Sequence, residues 1–193
     1  MSSIKNMALV VGLLSALIAL PARATVYSFT TFMDGASESP PVASAATGFT
    51  RVTFDDVLNL MQVDLTFSGL TTPASAGHIH CCTAVPRTGN IGVAVGFPAF
   101  PAATAGSYSH SFNLLDSSIY TTAFLAGGTA AAAEARLLTG LRGGNAYSNI
   151  HNATFPGGEI RGFLAPEPAS YALVLLAIGG GLAASRRRAS SAK

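Results

Sequence analysis

The sequence contains no tryptophan, only two cysteines and few charges, since Asp, Glu, Lys and Arg make up 10% of its 193 residues. The cysteines, Cys81 and Cys82, are adjacent and there is no third, so an ordinary disulfide between distant strands is excluded. No Gly-x-Ser-x-Gly elbow and no carboxylate pair suited to acid–base catalysis is present. The sequence therefore gives little support for a hydrolase, and we predict that the protein is not an enzyme.

The N-terminal residues 1–24 have the composition of a targeting signal. Lys5 precedes an apolar run at residues 7–20, and an Ala-x-Ala pattern follows at Ala22 and Ala24. This order is typical of a secretory signal peptide cleaved after Ala24, and the run is too short to favour a membrane anchor. We therefore predict export across the inner membrane after cleavage by signal peptidase.

The last 28 residues contain a Pro-Glu-Pro motif, an apolar stretch and an arginine cluster, in that order. The apolar stretch, residues 169–184, would be about 24 Å long as a helix, against a hydrocarbon core of about 30 Å, with the arginines on the cytoplasmic side. This tail resembles the PEP-CTERM sorting signal of exported proteins in Gram-negative bacteria. The motif and cluster residues are Pro166, Glu167, Pro168, Arg186, Arg187 and Arg188.

The PEP-CTERM resemblance implies how the protein is processed and where it is finally located. The tail would anchor the protein in the membrane only transiently, until an exosortase removes it near the motif. The product would then reside at the cell surface or in the extracellular matrix, where extracellular polysaccharide is a candidate partner. A plain C-terminal membrane anchor is the alternative interpretation.

Between the two ends, residues 25–165 form the predicted mature domain. This region has five arginines and eight carboxylates, so its net charge is about −3 although the whole chain carries +2. The positive charge therefore belongs to the targeting segments, and it gives no reason to expect a nucleic-acid partner. A region of this length can form one domain that buries about 68% of its unfolded surface.

Period-two alternation of apolar and polar residues dominates the mature region. It is clearest where Met61, Val63, Leu65 and Phe67 fall on one face of a strand. Short strands separated by Gly and Pro turns predict an all-β fold, an antiparallel β-sandwich or Greek-key barrel like that of superoxide dismutase or immunoglobulin. Strands are predicted at residues 25–33, 47–54, 59–68, around residue 78, and at 91–95, 107–113, 146–151 and 159–164.

One helix is predicted at residues 129–141. Thr129 is a suitable N-cap, the alanine run has high helix propensity, and Gly143 and Gly144 end it. Its predicted buried stripe consists of Ala132, Ala135, Leu137, Leu138 and Leu141.

Four segments, GASESPPV, TGFTRVTFD, VDLTFSGLTTPASAGHIH and LLTGLRGGNAYSNIHNATFPGGEIRGFL, follow one another along the mature region. In sequence and in order they resemble the CHRD domain, a family named after chordin and also found in secreted microbial proteins. The resemblance covers essentially the whole mature domain and implies an all-β fold, without implying a particular activity. The chain departs from the usual pattern at Cys81 and Cys82, where many relatives continue with glycine.

The segment AGHIHCC, residues 76–82, concentrates reactive side chains. On an extended strand His78 and His80 point to the same face, so both rings can reach one ion. We predict a metal site formed by His78, His80 and His151, with Glu159 as a fourth ligand or as a group that orients a ring. Three neutral imidazoles suit zinc or copper.

A second resemblance concerns the same segment. GLTTPASAGHIH is similar in layout to the loop and strand of copper/zinc superoxide dismutases, in which His-x-His supplies copper ligands, although no other part of that site is recognisable. The alternative to a metal site is that these histidines are half-buried structural groups, hydrogen-bonded by Asn149 and Glu159.

Other polar residues of the mature domain also leave alternatives open. Cys81 and Cys82 can form a vicinal disulfide, bridge to another molecule, ligate a soft metal beside the histidines, or remain free thiols. His110 is predicted as a core or edge histidine on an apolar strand face. Glu159 and Arg161 share a strand face and are predicted to form an ion pair.

Two functions are consistent with the sequence. The first is an exported, non-catalytic protein of the cell surface or extracellular matrix, processed by an exosortase. The second is a metal-binding or redox domain centred on His78 and His80, with copper or zinc as the ion.

Overall fold

The computed structural model describes residues 26–167. The predicted signal peptide at residues 1–24, Pro168, the apolar stretch at 169–184 and the cluster at 186–188 lie outside this range. Across residues 26–167, no helix has the length and apolar character needed to cross a membrane.

The part of the chain that is described contains nine strands in one antiparallel sheet. The sheet order is β5-β4-β7-β8-β1-β2-β3-β6, and β9 pairs with β1. The strands are β1 Val26–Asp34, β2 Thr47–Asp55, β3 Leu60–Ser68, β4 Ala74–Cys81, β5 Val93–Gly96, β6 Gly106–Asn113, β7 Ala146–Asn152, β8 Ile160–Phe163 and β9 Ala165–Pro166. The sheet curves into a half-barrel, which confirms the predicted all-β class.

The alternating sequence pattern accounts for β3 and its neighbours. Met61, Val63, Leu65 and Phe67 are all buried, whereas most residues between them are exposed. The turn from β2 into β3 is held by the Asp55 carboxylate, because its Oδ1 accepts hydrogen bonds from two backbone N–H groups, at 3.0 and 2.8 Å. This local turn fixes the register, which keeps the apolar set of β3 facing the core.

Three predicted elements differ from the structure. The strand predicted at 91–95 is β5, Val93–Gly96, because Ile91 lies in the preceding loop. Strand β9 was not predicted, and neither were a 3-10 turn at Ser117–Ile119 or the one-turn helix α1, Thr122–Leu125. Such short elements are stabilised by their contacts rather than by a sequence period.

The long helix α2, Ala130–Gly143, confirms the predicted helix. Thr129 Oγ1 accepts a hydrogen bond from the Ala132 N–H at 3.2 Å, and Gly144 ends the helix with φ of 70°. The predicted stripe was wrong at Ala132 and Ala135, which are exposed. An alanine run has no apolar period of its own to fix the buried face, which comprises Ala133, Glu134, Leu137, Gly140 and Leu141.

The end strands of the sheet and the two faces of β4 and β7 determine where a functional site can form. β5 and β6 are the end strands of the half-barrel, and the 3-10 turn follows β6 directly. The buried core includes Phe29, Phe54, Met61, Ile79 and Ile150, so Ile79 and Ile150 mark the core faces of β4 and β7. Side chains on the other face of β4 and β7 are thus free to form a separate polar cluster.

Candidate metal centre

Three of the four histidines meet on one face of the strand pair β4–β7. The register places His78 opposite Asn149, His80 opposite Tyr147, and His151 opposite Ala76. All of these side chains point to the same side because alternate residues of a strand share a face. The histidine ring centroids lie 4.9 to 5.8 Å apart.

One ring nitrogen from each histidine can reach a common point. The three candidate ligand atoms lie within 4.8 Å of one another. Nitrogens bound at about 2.0–2.1 Å to a tetrahedral ion lie about 3.4 Å apart. The separations of the three nitrogens, at most 4.8 Å, therefore exceed the spacing around one ion by no more than about 1.4 Å.

Backbone carbonyls fix the tautomers of two of the rings. His80 Nδ1 lies 2.7 Å from the Ile91 carbonyl oxygen, and His151 Nδ1 lies 3.0 Å from that of Pro156. A carbonyl oxygen only accepts hydrogen bonds, so each Nδ1 must carry the proton and donate it. Each Nε2 is then unprotonated, and its lone pair can bind a metal.

One nitrogen of each ring is buried and has no partner among the described residues. His78 Nδ1, His80 Nε2 and His151 Nε2 are inaccessible to solvent and make no hydrogen bond with any group of residues 26–167. A buried polar atom without a partner costs about 1–3 kcal/mol, so native proteins rarely contain three together. A cation held between the three nitrogens would satisfy all of them at once.

The electrostatics of the cluster keep the rings neutral. Burial, with smaller contributions from the neighbouring imidazoles of His151 and His80, lowers the pKa of His78 to about 4. Burial also lowers the pKa of His80 to about 4, against the raising effect of its hydrogen bond to Ile91. The pKa of His151 is lowered too, again chiefly by burial. Neutral imidazoles are the form required for coordination.

Tyr147 and Arg161 form a second layer around His80. The Tyr147 ring stacks on His80 with a centroid separation of 4.6 Å and an interplanar angle of 5°. The Tyr147 hydroxyl donates to the Ile91 carbonyl at 3.2 Å, the same oxygen that accepts from His80. The Arg161 guanidinium lies 4.9 Å from the centroid of the Tyr147 ring. These contacts hold the His80 ring in one orientation.

Arg161 pairs with Glu38, not with Glu159 as the sequence predicted. Its Nε lies 3.8 Å from a Glu38 oxygen, and both side chains are buried. Glu38 also accepts a hydrogen bond from Asn149 Nδ2 at 2.6 Å. Burial nevertheless raises the pKa of Glu38 to about 6. Glu38 was thus missed as a partner of Arg161 and Asn149, because it lies in a loop 111 positions before Asn149.

Glu159 lies in a hydrogen-bond network away from the three histidines. It is fully buried and belongs to no group of potential ligands with them among the described residues. Its carboxylate accepts from Ser44 Oγ at 2.6 Å, from the Thr71 N–H at 3.0 Å and from Asn152 Nδ2. The prediction that Glu159 contributes to the cluster as a ligand, or hydrogen-bonds a histidine, was therefore wrong.

The two cysteines form a vicinal disulfide, one of the four alternatives that the sequence left open. Cys81 follows His80 on β4 and so points to the opposite face, into the core. The disulfide packs against α2 at Gly140, where a Cβ would overlap both sulfur atoms. Sulfur ligation beside the histidines is thereby excluded in this state.

The remaining candidate residues lie elsewhere on the domain. His110 is exposed on the edge strand β6, between Tyr108 and Phe112, so the edge position is confirmed and the core position is not. Pro166 pairs with β1 as part of β9, and the Glu167 carboxylate lies 3.3 Å from the Arg51 guanidinium.

The arrangement fits a late transition metal. Three neutral imidazole nitrogens suit zinc or copper, and ring N–H groups donating to backbone carbonyls are the usual outer contacts of histidine ligands. The sequence indicated His78 and His80 through their spacing, and it placed His151 in the same set. The carbonyls of Ile91 and Pro156 carry no sequence signal, because every residue has one.

The described region matches a known family model. The family model described as the CHRD domain matches residues 29–164, which is most of the chain. A search of curated proteins finds no matching relative.

Proposed function

The chain belongs to the CHRD domain family, and on this premise we propose that it is an exported, non-catalytic domain that binds one zinc or copper ion through His78, His80 and His151. Metal binding is the chemistry that the described side chains support best. Export and tail processing define where that chemistry takes place.

A single observation carries the metal proposal. His78 Nδ1, His80 Nε2 and His151 Nε2 are all buried without a partner, on the same face of one strand pair. If the cluster were structural, a nearby donor or acceptor would be expected to satisfy these atoms. The His80 and His151 rings each carry their proton on Nδ1, which faces a backbone carbonyl. The lone pair on Nε2 therefore points away from that carbonyl.

Copper and zinc differ in what they require of this site. Zinc accepts three histidines in a tetrahedral arrangement completed by one further ligand. Copper binds imidazole more tightly than zinc does at an equivalent site. Both ions are therefore candidates, and competition between them decides the assignment.

Export is supported by the targeting signals and by the cysteine chemistry. An Ala-x-Ala signal at the N-terminus and a Pro-Glu-Pro tail frame the domain. A disulfide such as Cys81–Cys82 persists in an oxidising compartment. We place the mature protein at the cell surface or in the extracellular matrix, next to extracellular polysaccharide, after exosortase has removed the tail.

Metal analysis of the purified protein tests the central proposal. After chelation and reloading we expect about one equivalent of zinc or copper by atomic absorption, and none in a His80→Phe, His151→Leu double variant. His110→Ala is the matched control, since this exposed histidine lies outside the cluster and its loss should leave the stoichiometry unchanged. Less than a tenth of an equivalent in the folded wild-type protein would refute the proposal.

Localisation tests the export proposal separately. A tagged protein should be shortened and released to the cell surface in cells that have the sorting enzyme, and it should stay membrane-bound and unprocessed in cells that lack it. Identical processing in both strains would contradict the role given to Pro166, Glu167 and Pro168.

A further inference from the structure

A pocket of about 510 Å³ opens beside the histidine cluster. It lies where the two edge strands of the half-barrel face each other, because Gly96 of β5 and His110 of β6 both line it. The 3-10 turn contributes Ile119, and Tyr120 follows it. This volume is within the range of about 300–1,000 Å³ that is typical of small-molecule sites.

His78 is the residue that the cluster and the pocket share. Its Nδ1 is the buried, unpartnered nitrogen, and its Cδ2 lies on the opposite edge of the ring, 3.9 Å from where a Cβ of Gly96 would be. Nε2 is bonded to Cδ2, so it belongs to the ring edge that faces Gly96, a residue of the pocket lining. Since Gly96 is the cross-strand neighbour of His78 and has no side chain, the ring is not covered there.

A metal on Nδ1 determines what Nε2 can do. A neutral imidazole carries one proton, so coordination through Nδ1 places that proton on Nε2. His78 makes no hydrogen bond with any residue in the described range 26–167, so this N–H is available to a ligand. It is a strong donor, because the bound cation withdraws electron density from the ring.

The other residues that line the pocket suit a ligand with a planar apolar ring and an acidic group. Phe97, Phe112 and Tyr120 supply aromatic walls, and Ile119 an aliphatic one. His110 presents a second imidazole, and Ser118 and Thr121 lie on the same lining. No carboxylate is among the lining residues, so an anion meets no like charge there.

We propose that this pocket binds a small aromatic carboxylate, whose oxygen accepts a hydrogen bond from His78 Nε2–H while the metal occupies Nδ1. The inference rests on the proposed metal site and deepens it, because metal and carboxylate then bind cooperatively. Coupling of this kind typically changes an affinity by about 5- to 150-fold. The metal thereby turns the pocket into an anion-binding site.

Benzoate is a suitable probe, with benzyl alcohol as the ligand that lacks the charge. Titrations followed by NMR or calorimetry would use zinc-loaded and chelated full-length protein, with zinc content measured on the same samples. We expect saturable binding of benzoate, at least about tenfold tighter in the zinc-loaded form, and much weaker binding of benzyl alcohol.

Two variants localise the effect. Ile119→Trp fills the pocket and should abolish benzoate binding while zinc stoichiometry stays at one. Leu115→Trp is the matched control, since Leu115 is 51% exposed and lies outside the pocket lining, and it should behave as wild type. His110→Ala should weaken benzoate binding and leave zinc unchanged.

The outcomes separate the two proposals. Absence of bound zinc would refute the metal site itself. Bound zinc with no benzoate binding, with equal benzoate affinity in the loaded and chelated protein, or with full binding by Ile119→Trp, would overturn the pocket proposal and leave the metal site standing.

Discussion

Two buried polar clusters lie on opposite faces of β7, only one residue apart in sequence. His151 belongs to the histidine cluster, and Asn152 belongs to the network around Glu159. The Glu159 carboxylate is surrounded by donors from Ser44, Thr71 and Asn152. The histidine cluster instead contains three nitrogens for which the described part of the chain supplies no partner.

This difference separates a structural polar group from one that is ready to bind a ligand. Burial alone does not make the distinction, because Glu159 is more deeply buried than the histidines. What matters is whether the protein itself supplies the hydrogen bonds. Glu159 should therefore stabilise the fold, whereas the histidines should stabilise it only when an ion is present.

The largest expected effect comes from removing the satisfied carboxylate. Glu159→Leu removes the acceptor of the buried Asn152 amide and of the part-buried donors of Ser44 and Thr71. A buried donor left unpaired costs about 1–3 kcal/mol and the others add less each, so we expect the free energy of unfolding to fall by about 3–5 kcal/mol. Urea denaturation measures the change. Asp64→Asn, on an exposed strand face, is the control and should cost less than about 0.5 kcal/mol. An equal loss in both variants would show that Glu159 contributes no more to stability than an exposed carboxylate does.

Metal addition should affect the other cluster. With free zinc at about one hundred times Kd, binding to the folded state alone adds about 2.7 kcal/mol to the free energy of unfolding. Differential scanning calorimetry should show this gain in wild type and its loss in His80→Phe. A gain of the same size in His80→Phe would place the ion elsewhere.

The adjacent residues of β7 allow a direct comparison in metal-free protein. Asn152 Nδ2 donates to Glu159 and to the Thr72 carbonyl, so Asn152→Leu should cost about 2 kcal/mol. His151→Leu removes a buried Nε2 that has no partner and one exposed hydrogen bond, from Nδ1 to the Pro156 carbonyl, so it should change stability by less than about 1 kcal/mol. Urea midpoints of the two variants test the order, and a reversed order would show that the histidine is structural.

The stability of the metal-free protein should also depend on pH. The pKa values of His78 and His80 are lowered from 6.5 to about 4, so the unfolded state takes up protons first on acidification, and stability falls between these values. The pKa of Glu38 is raised from 4.5 to about 6, so its contribution has the opposite sign: it is present at low pH and lost as the pH rises through 6.

The histidines outnumber this single carboxyl, so metal-free protein should become less stable from neutral pH toward pH 4. Partial solvent exposure of the rings reduces the size of the loss. Urea midpoints across this range measure it, and His80→Phe should make the curve shallower. A metal-free wild type whose midpoint does not change with pH would contradict the burial of these rings.

Strand spacing made much of the fold predictable. The period-two pattern located β3 and gave the side-chain faces of β4, and Thr129 and Gly144 marked the ends of α2. Elements with no such pattern, namely β9 and α1, were missed. The buried face of α2 was predicted correctly at Leu137 and Leu141 and wrongly at Ala132 and Ala135, because packing against the disulfide at Gly140 helps to set that face.

The candidate site was only partly predictable, for a related reason. His78 and His80 share a face through local geometry alone. The sequence alone did not distinguish Glu159 from a metal ligand. In the structure its carboxylate accepts hydrogen bonds from Ser44 and Thr71, which lie 115 and 88 positions away. No local spacing encodes such contacts.

The sequence by itself determined the class of fold, the pairing of His78 with His80 and the limited options of two adjacent cysteines, because these depend on covalent geometry and strand period. Only the tertiary structure decided that His151 completes the cluster and that Glu159 does not belong to it. It also brought the carbonyls of Ile91 and Pro156 to the rings. The physical reason is that long-range strand register determines which side chains meet, and register is a property of the whole sheet.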